Sequence, residues 1–208
     1  MKTLIAVPCM DMVQTRFFHC CMDLRYVGDI EFSLTESSLI YNARNELAGK
    51  AITEGFDRIL WLDSDMTFEP DLMEKLSARL DTGMEFVSGL YFKRRQPVAP
   101  VVFKACGSYE RDGQEYTFAA TYDDYPEDTV FEIAACGFGG LMMTTRLVKE
   151  VWEKYGYPFS PILGFGEDLS FCCRVNRLGI KMYCDPGIKL GHVGYKTFDE
   201  SDFVRVRT

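Results

Sequence analysis

The chain has 208 residues, 47% of them hydrophobic and 26% charged, which is enough for one domain with a substantial core but short for two. Its formal net charge of −8 argues against a nucleic-acid partner, because binding to a phosphate backbone needs a positive surface. No apolar run reaches the roughly 20 residues of a membrane span and the first residues show no signal-peptide pattern, so we expect no transmembrane segment and a cytoplasmic location.

The first 92 residues alternate between strand and helix patterns. Strands are predicted over 3–9, 30–34, 59–62 and 85–92, and helices over 12–27, 39–54 and 70–80. The helix over 39–54 has the clearest pattern, because its apolar residues recur at three- and four-residue spacing. Strands alternating with helices indicate an α/β fold with a mostly parallel sheet covered by helices on both faces.

The second half begins with a segment of different character, 93–131, which is punctuated by proline and glycine and contains the acidic stretch 123–128. Short strands are expected near 101–105 and 115–121, a return to the core over 134–144, helices over 146–155 and within 164–179, and a last strand over 180–185. The eight cysteines include no C-x-x-C pair and no zinc-ligand spacing, so we expect them to be reduced packing residues.

Two aspartates end the apolar strand ILWL at 59–62. Side chains alternate along a strand, so Asp63 and Asp65 are expected to project to the same side at its carboxyl end, where open α/β sheets bind ligands. Adjacent carboxylates repel each other and are costly to desolvate unless a cation lies between them. The pair therefore indicates a divalent metal site, although paired aspartates also cap turns.

A second acidic pair, Glu167 and Asp168, lies at the predicted amino end of a helix. Free N–H groups and the helix dipole there favour the ionised carboxylate, which a general base needs before it can accept a proton. Acidic residues in a first helical turn also serve as simple capping residues, and that alternative remains open.

Three further features add candidate ligands. His192 lies between glycines in KLGHVG and is a candidate nitrogen ligand for the metal. Arg44 and Asn45 lie on the helix that precedes the D-x-D strand, and the basic run at 93–95 follows a strand end. These residues suit a diphosphate or a base, although solvated surface positions are the usual explanation for such residues.

The order and spacing of these motifs resemble those of nucleotide-sugar-dependent glycosyltransferases of the GT-A fold, close to family 2 and its relatives. The resemblance covers nearly the whole chain and rests on Pro8 at the end of the first strand, ARN at 43–45, D-x-D at 63–65 and GFGEDLSFCCRVNRLG at 164–179. It implies one Rossmann-like GT-A domain, with a nucleotide-sugar-binding half over 1–92 and an acceptor-binding and catalytic half over 93–208.

The resemblance also implies an activity, which is transfer of a sugar from a nucleoside-diphosphate sugar, with UDP favoured, to a hydroxyl of a glycan, glycolipid or protein acceptor, with inversion. Asp65 and His192 would bind Mn²⁺ or Mg²⁺, and Asp63 would contact the metal or the ribose. Asp168 would deprotonate the acceptor hydroxyl while Glu167 holds the acceptor. The nucleotide side would be lined by Pro8, Cys9, Glu36, Arg44, Asn45, Asp63 and Lys93.

Two other functions fit parts of the sequence. LDSDMT also matches the D-x-D-x-T signature of haloacid-dehalogenase-like phosphatases, with Asp63 as nucleophile and Ser88 as a second motif. That signature normally follows the first strand, whereas a complete strand–helix–strand–helix segment precedes it here. The third possibility is a GT-A domain that binds a nucleotide sugar or glycan without turnover.

Overall fold

The computed structural model describes residues 1–162, 164–194 and 196–203. The strands are β1 (Lys2–Cys9), β2 (Asp29–Glu36), β3 (Arg58–Leu62), β4 (Met66–Thr67), β5 (Phe86–Leu90), β6 (Val102–Arg111), β7 (Gln114–Thr121), β8 (Phe131–Ile133), β9 (Ala135–Cys136), β10 (Gly140–Thr144), β11 (Met182–Lys189), β12 (Gly191–Val193) and β13 (Thr197–Phe198). The helices are α1 (Thr15–Asp23), α2 (Ile40–Thr53), α3 (Leu72–Asp81), α4 (Thr145–Tyr155) and α5 (Glu167–Arg177), followed by a 3₁₀ turn at Glu200–Asp202.

Within the described chain, the central sheet has seven strands in the order β2-β1-β3-β10-β5-β11-β8. The pairings of β2 with β1, of β1 with β3 and of β5 with β11 are parallel, whereas β10 and β8 run against their neighbours. The expected α/β fold with a mostly parallel sheet is therefore confirmed. The edge strand β8 was not predicted, because three residues are too few to show a period.

The two faces of the sheet bury alternate residues of the same strands. Along β3, Ile59 and Trp61 pack in one hydrophobic cluster with α2, α4 and α5, whereas Leu60 and Leu62 pack in the other with α1 and α3. All four side chains are fully buried. The sheet is thus covered by helices on both sides, as alternation along a doubly buried strand requires.

Two smaller sheets lie outside this core. β7, β6 and β9 form one of them, and its long hairpin turns at Asp112-Gly113, where both residues have positive φ. The sequence analysis predicted shorter strands here and overlooked this Asp-Gly pair, which is a strong hairpin signal. In the other small sheet, β13-β12-β4, His192 of β12 pairs with Met66 of β4 and so lies near the end of β3.

The predicted helix over 12–27 is also shorter than expected, since α1 spans Thr15–Asp23. In the described part of the chain, no helix combines the length and the apolar character needed to cross a membrane.

Candidate active site

The D-x-D segment forms a tight turn between β3 and β4 rather than the end of a strand. β3 ends at Leu62, and the Met66 N–H donates to the Asp63 carbonyl at 3.2 Å, so alternation along a strand does not set the directions of the two aspartates. Neighbouring segments hold the turn: Gln14 N–H donates to the Ser64 carbonyl at 3.0 Å, and Val193 N–H donates to the Asp65 carbonyl at 2.8 Å. Both aspartates nevertheless line one cavity.

Arg44 of α2 connects Asp63 to the second acidic motif. Its Nη2 donates to Asp63 Oδ1 at 2.7 Å and its Nε to Glu167 Oε1 at 3.3 Å, while its Nη1 is buried without a hydrogen-bond partner among the described residues. Burial alone would lower the pKa of Arg44, but Asp63, Glu167 and Asp168 raise it, so the guanidinium stays charged. The cation that compensates the negative charge of Asp63 is therefore the Arg44 side chain.

Burial raises the pKa of Asp63, and the negative charges of Asp65 and Glu167 act in the same direction, whereas Arg44 opposes them. The turn and the start of α5 thus share one electrostatic cluster around a single guanidinium. Such a cluster favours a bound cation or a proton shared among its carboxylates.

Asp65 has different partners from Asp63. Its Oδ2 lies 2.5 Å from Arg94 Nη1 and 3.4 Å from His192 Nε2. Burial would raise the pKa of Asp65, but the hydrogen bond from His192 and the charge of Arg94 lower it overall. His192 Nδ1 lies 3.0 Å from the Phe92 carbonyl oxygen, a contact that fixes the ring so that Nε2 faces Asp65.

The small sheet explains why His192 reaches the D-x-D turn although about 130 residues of sequence separate them. His192 pairs with Met66 in β4, and its neighbour Gly191 pairs with Thr67. A Cβ at Gly191 would clash with the side chains of Thr67 and Thr197, so glycine is needed for this close pairing.

Glu167 and Asp168 form the first turn of α5, as the sequence predicted. Asp168 Oδ1 accepts a hydrogen bond from the Leu169 N–H at 2.7 Å. Burial and the negative charge of Glu167 raise the pKa of Asp168 to about 6 and outweigh the lowering effects of the Leu169 N–H and Arg44. Asp168 is therefore a stronger base than an ordinary aspartate and is still mostly ionised at neutral pH.

The groups described above face one cavity of about 920 Å³ beside the carboxyl ends of β1 and β3. Its cationic lining residues are Arg44, Lys93, Arg94 and Arg95, and its acidic ones are Asp11, Asp63, Asp65, Glu167 and Asp168. The volume is in the range of small-molecule sites, and the position is where open α/β sheets hold ligands.

The predicted nucleotide-side residues divide into two groups. Pro8, Cys9 and Lys93 line the cavity. Glu36 lies beside Cys9 in the β1–β2 pairing, but its side chain is exposed outside the cavity lining. Asn45 is buried on another side of α2, where its Oδ1 accepts from the Phe159 N–H at 2.9 Å, so it serves the fold rather than the cavity.

Tyr91 is a lining residue that the sequence analysis missed. It is buried just after β5, its ring meets the His192 ring edge-on with centroids 5.7 Å apart, and its hydroxyl accepts from the Gly139 N–H at 3.3 Å. Burial raises its pKa well above the usual value, so it is a neutral phenol. A Cβ at Gly137 would clash with the Tyr91 hydroxyl, so the glycines of GFGG at 137–140 were the available signal of a close contact.

A divalent metal fits the donor set of this cavity, but only as one shared with a ligand. Asp65 and His192 supply one carboxylate and one imidazole, and Asp65 Oδ2 lies 3.4 Å from His192 Nε2. Among the described residues, no group of three or more His, Cys, Asp or Glu side chains gathers in a way that could hold a metal. Metals that bind nucleotides commonly use one or two protein ligands and complete their shell with phosphate oxygens and water.

The phosphatase alternative required the D-x-D to follow the first strand of the sheet. Instead β1 and β2 precede it, and Asp63 follows β3. Ser88 is fully buried in β5, where its hydroxyl donates to the Gly89 carbonyl, and it does not line the cavity. Neither the strand position of the D-x-D nor the place of Ser88 therefore matches the phosphatase signature.

Comparison with solved structures supports the fold. The chain is similar to a protein titled A197 from STIV, with a TM-score of 0.64, 19% identity, and coverage of 100% of this chain and 99% of that one. It is also similar to GalNAc-T7 with UDP, GalNAc and Mn²⁺ (TM-score 0.61, 10% identity, 93% of this chain and 44% of that one covered) and to residues 1–349 of S. aureus TarS (TM-score 0.54, 14% identity, 89% and 58% covered). No protein-family model matches the chain, and no curated protein matches its sequence.

These similarities, all below 20% identity, show a fold and not an activity. The seven-stranded sheet flanked by helices matches glycosyltransferases of the GT-A fold. The chain spans less than half of the GalNAc-T7 chain and somewhat more than half of the TarS chain, but nearly all of A197.

Proposed function

We propose that the protein is a metal-dependent glycosyltransferase that moves a sugar from a nucleoside-diphosphate sugar to an acceptor hydroxyl with inversion. The observation that carries the proposal is the convergence, in one cavity of a GT-A fold, of Asp65 with His192, of Asp63 with Arg44, and of Asp168 with its raised pKa. UDP is the favoured nucleotide, because the similar GalNAc-T7 structure contains UDP, GalNAc and Mn²⁺.

The basic side of the cavity suits the diphosphate of the donor. Lys93, Arg94 and Arg95 line it next to the Asp65–His192 pair. Asp65 and His192 would hold Mn²⁺ or Mg²⁺, and the bound ion would offset negative charge on the departing diphosphate as a Lewis acid. Pro8 and Cys9, at the end of β1, would line the nucleoside side.

Arg94 has a position that changes when the donor binds. In the structure its guanidinium neutralises the Asp65 oxygen that also faces His192. A metal ion at that oxygen repels the guanidinium, and the nearest new anionic partner would be the diphosphate. We therefore assign Arg94 to the donor diphosphate in the complex and to Asp65 in the free protein.

Asp168 would act as the general base. Its ionised carboxylate accepts the proton of the acceptor hydroxyl while the hydroxyl oxygen bonds to the anomeric carbon and the bond from that carbon to the diphosphate oxygen breaks. Attack from the side opposite the leaving group inverts the anomeric centre. Glu167, already held by Arg44, would position the acceptor.

The experiment is a transfer and hydrolysis assay over UDP-, GDP- and dTDP-sugars with Mn²⁺, Mg²⁺ or a chelator. We expect metal-dependent release of nucleoside diphosphate from one donor class, loss of that release in Asp65→Ala, and donor binding without turnover in Asp168→Asn. Binding of a donor by the wild type with no release under any condition would favour the non-catalytic domain. Release of phosphate from a phosphomonoester would favour the phosphatase alternative instead.

A further inference from the structure

Two cysteines that are far apart in the sequence lie side by side outside the candidate active site. Cys106 of β6 and Cys173 of α5 have their Sγ atoms 3.1 Å apart, with no bond between them. A disulfide bond is about 2.05 Å long, so the two sulfurs need to approach by only about 1 Å. Rotation about χ1, the one side-chain torsion that moves a cysteine sulfur, can bring them together.

Cys173 is buried and Cys106 is partly buried, yet both border a cavity and charged side chains. Both residues line a separate cavity of about 270 Å³, together with Ser108, Thr117 and Arg177. The hydrogen bond from Cys106 lowers the pKa of Cys173, and the charges of Arg177 and Arg174 act in the same direction. A small oxidant can therefore enter beside a thiol whose ionised, nucleophilic form is favoured.

We propose that Cys106 and Cys173 are a site of reversible disulfide formation that joins the β6–β7 hairpin to α5. With a hydroperoxide as oxidant, the Cys173 thiolate attacks the terminal peroxide oxygen, the O–O bond breaks, and a sulfenic acid and the alkoxide (hydroxide from hydrogen peroxide) form. Cys106 then attacks the sulfenic sulfur, the S–S bond forms, and the oxygen leaves as water. Two thiols lose two electrons in total and the hydroperoxide gains them.

The cross-link would act on the segment that leads to the acidic pair. The hairpin already contacts that segment, because a Cβ at Gly164 would clash with the Thr117 hydroxyl. α5 itself begins with Glu167 and carries Cys173 in its second turn. A disulfide would therefore fix the hairpin, the approach at Gly164 and the start of α5 as one unit, whatever the protein binds in its main cavity.

The test uses the full-length protein, reduced and then freed of reductant. It is treated with hydrogen peroxide in slight excess, alkylated under denaturing conditions and digested with trypsin. Cys106 is the lone cysteine of residues 105–111, whereas Cys173 shares residues 155–174 with Cys172. Cys173→Ser and the adjacent matched control Cys172→Ala therefore identify which cysteine reacts.

We expect six alkylated cysteines instead of eight in the oxidised wild type, a linked 105–111/155–174 peptide, and return to eight labels after dithiothreitol. The link should persist in Cys172→Ala and disappear in Cys173→Ser, and Cys106→Ser should trap a sulfenic acid at Cys173 with dimedone. The melting temperature of the wild type should rise by roughly 5–10 °C on oxidation, because the link closes a long loop.

Eight labels after oxidation, or a link that uses other cysteines, would overturn the proposal. The wild-type peptide map decides the question even if a variant fails to fold. It also separates this inference from the proposed function, because the map requires no sugar donor, metal or activity.

Discussion

The two aspartates of the D-x-D turn face two different kinds of environment. Asp63 is paired with Arg44, whose side chain is 2% exposed and is also bonded to Glu167. Asp65 is paired with Arg94, whose side chain is 52% exposed on the loop after β5. The Arg44 guanidinium is part of the protein interior, whereas the half-exposed Arg94 guanidinium can exchange its partner for a ligand. We infer that the first is a fixed support and the second the adjustable part of the site.

The most direct test of this distinction is to remove each arginine in turn. Arg44→Met leaves Asp63 and Glu167 without their shared cation in a desolvated cluster, so we expect the free energy of unfolding to fall by about 3 kcal/mol. The matched change Arg94→Met breaks an exposed pair and should cost less than about 1 kcal/mol. Urea denaturation monitored by circular dichroism measures both, and equal losses would contradict the distinction.

Beside the Asp63–Arg44–Glu167 cluster, Asp168→Asn should change the rate of transfer and the stability in opposite directions. An amide cannot accept the acceptor proton, so we expect transfer to slow by roughly 10²–10⁴ with donor affinity unchanged. The substitution also removes a partly buried carboxylate with a raised pKa, so stability at pH 7 should increase by about 1 kcal/mol. Steady-state kinetics and urea denaturation provide the two readouts. Full activity in this variant would make the base assignment wrong.

The pH dependence sharpens the same assignment. The pKa of Asp168 is about 6, so the transfer rate should fall about tenfold per pH unit below 6 and level off above it. Because the folded-state pKa is raised, the proton is held more strongly by the folded chain. Its stabilising contribution is complete below the ordinary aspartate pKa of about 4 and is lost as the pH rises through about 6. Rates measured from pH 4.5 to 8, with unfolding measured in parallel, test both directions.

At the Asp65–Arg94 pair the expected effects are smaller, and the affinities for Mn²⁺ and for UDP should change in opposite directions. Arg94→Met removes a cation that competes for Asp65, so Mn²⁺ alone should bind about two- to fivefold more tightly, whereas UDP should bind several-fold more weakly. Electron paramagnetic resonance of free Mn²⁺ and calorimetry with UDP measure the two affinities. Arg95→Met, which has no such contact with Asp65, is the control for the Mn²⁺ affinity. A parallel change in both affinities would show that Arg94 does not exchange partners.

The sequence was informative where short-range rules apply. The amphipathic pattern over 39–54 placed Arg44 on a helix, and the glycine-rich approach placed Glu167 and Asp168 at the start of one. The same helix pattern could not separate Arg44 from Asn45, because adjacent helical residues lie about 100° apart and only the packing of Phe159 shows that Asn45 faces elsewhere.

Patterns within the sequence did not predict long-range contacts, and the closeness of Asp65 and His192 was implied only by the family resemblance. The pairing of His192 with Met66 joins two strands of two or three residues, which carry no periodic signal. The position of Arg94 depends on that pairing too, since its Nη1 also donates to the Val193 carbonyl at 3.3 Å. The raised pKa of Asp168 required knowledge of its burial and of Glu167 beside it, which outweigh the helix N-terminus.

The central claim is that the cavity binds a nucleoside diphosphate through a metal held by Asp65 and His192. Calorimetric titration of UDP with and without Mn²⁺, in the wild type and in Asp65→Ala, tests it most directly. We predict that Mn²⁺ increases the UDP affinity of the wild type by at least about tenfold, on the order of 1.4 kcal/mol, and leaves that of Asp65→Ala unchanged. UDP affinity that is the same with and without Mn²⁺ in the wild type would contradict it.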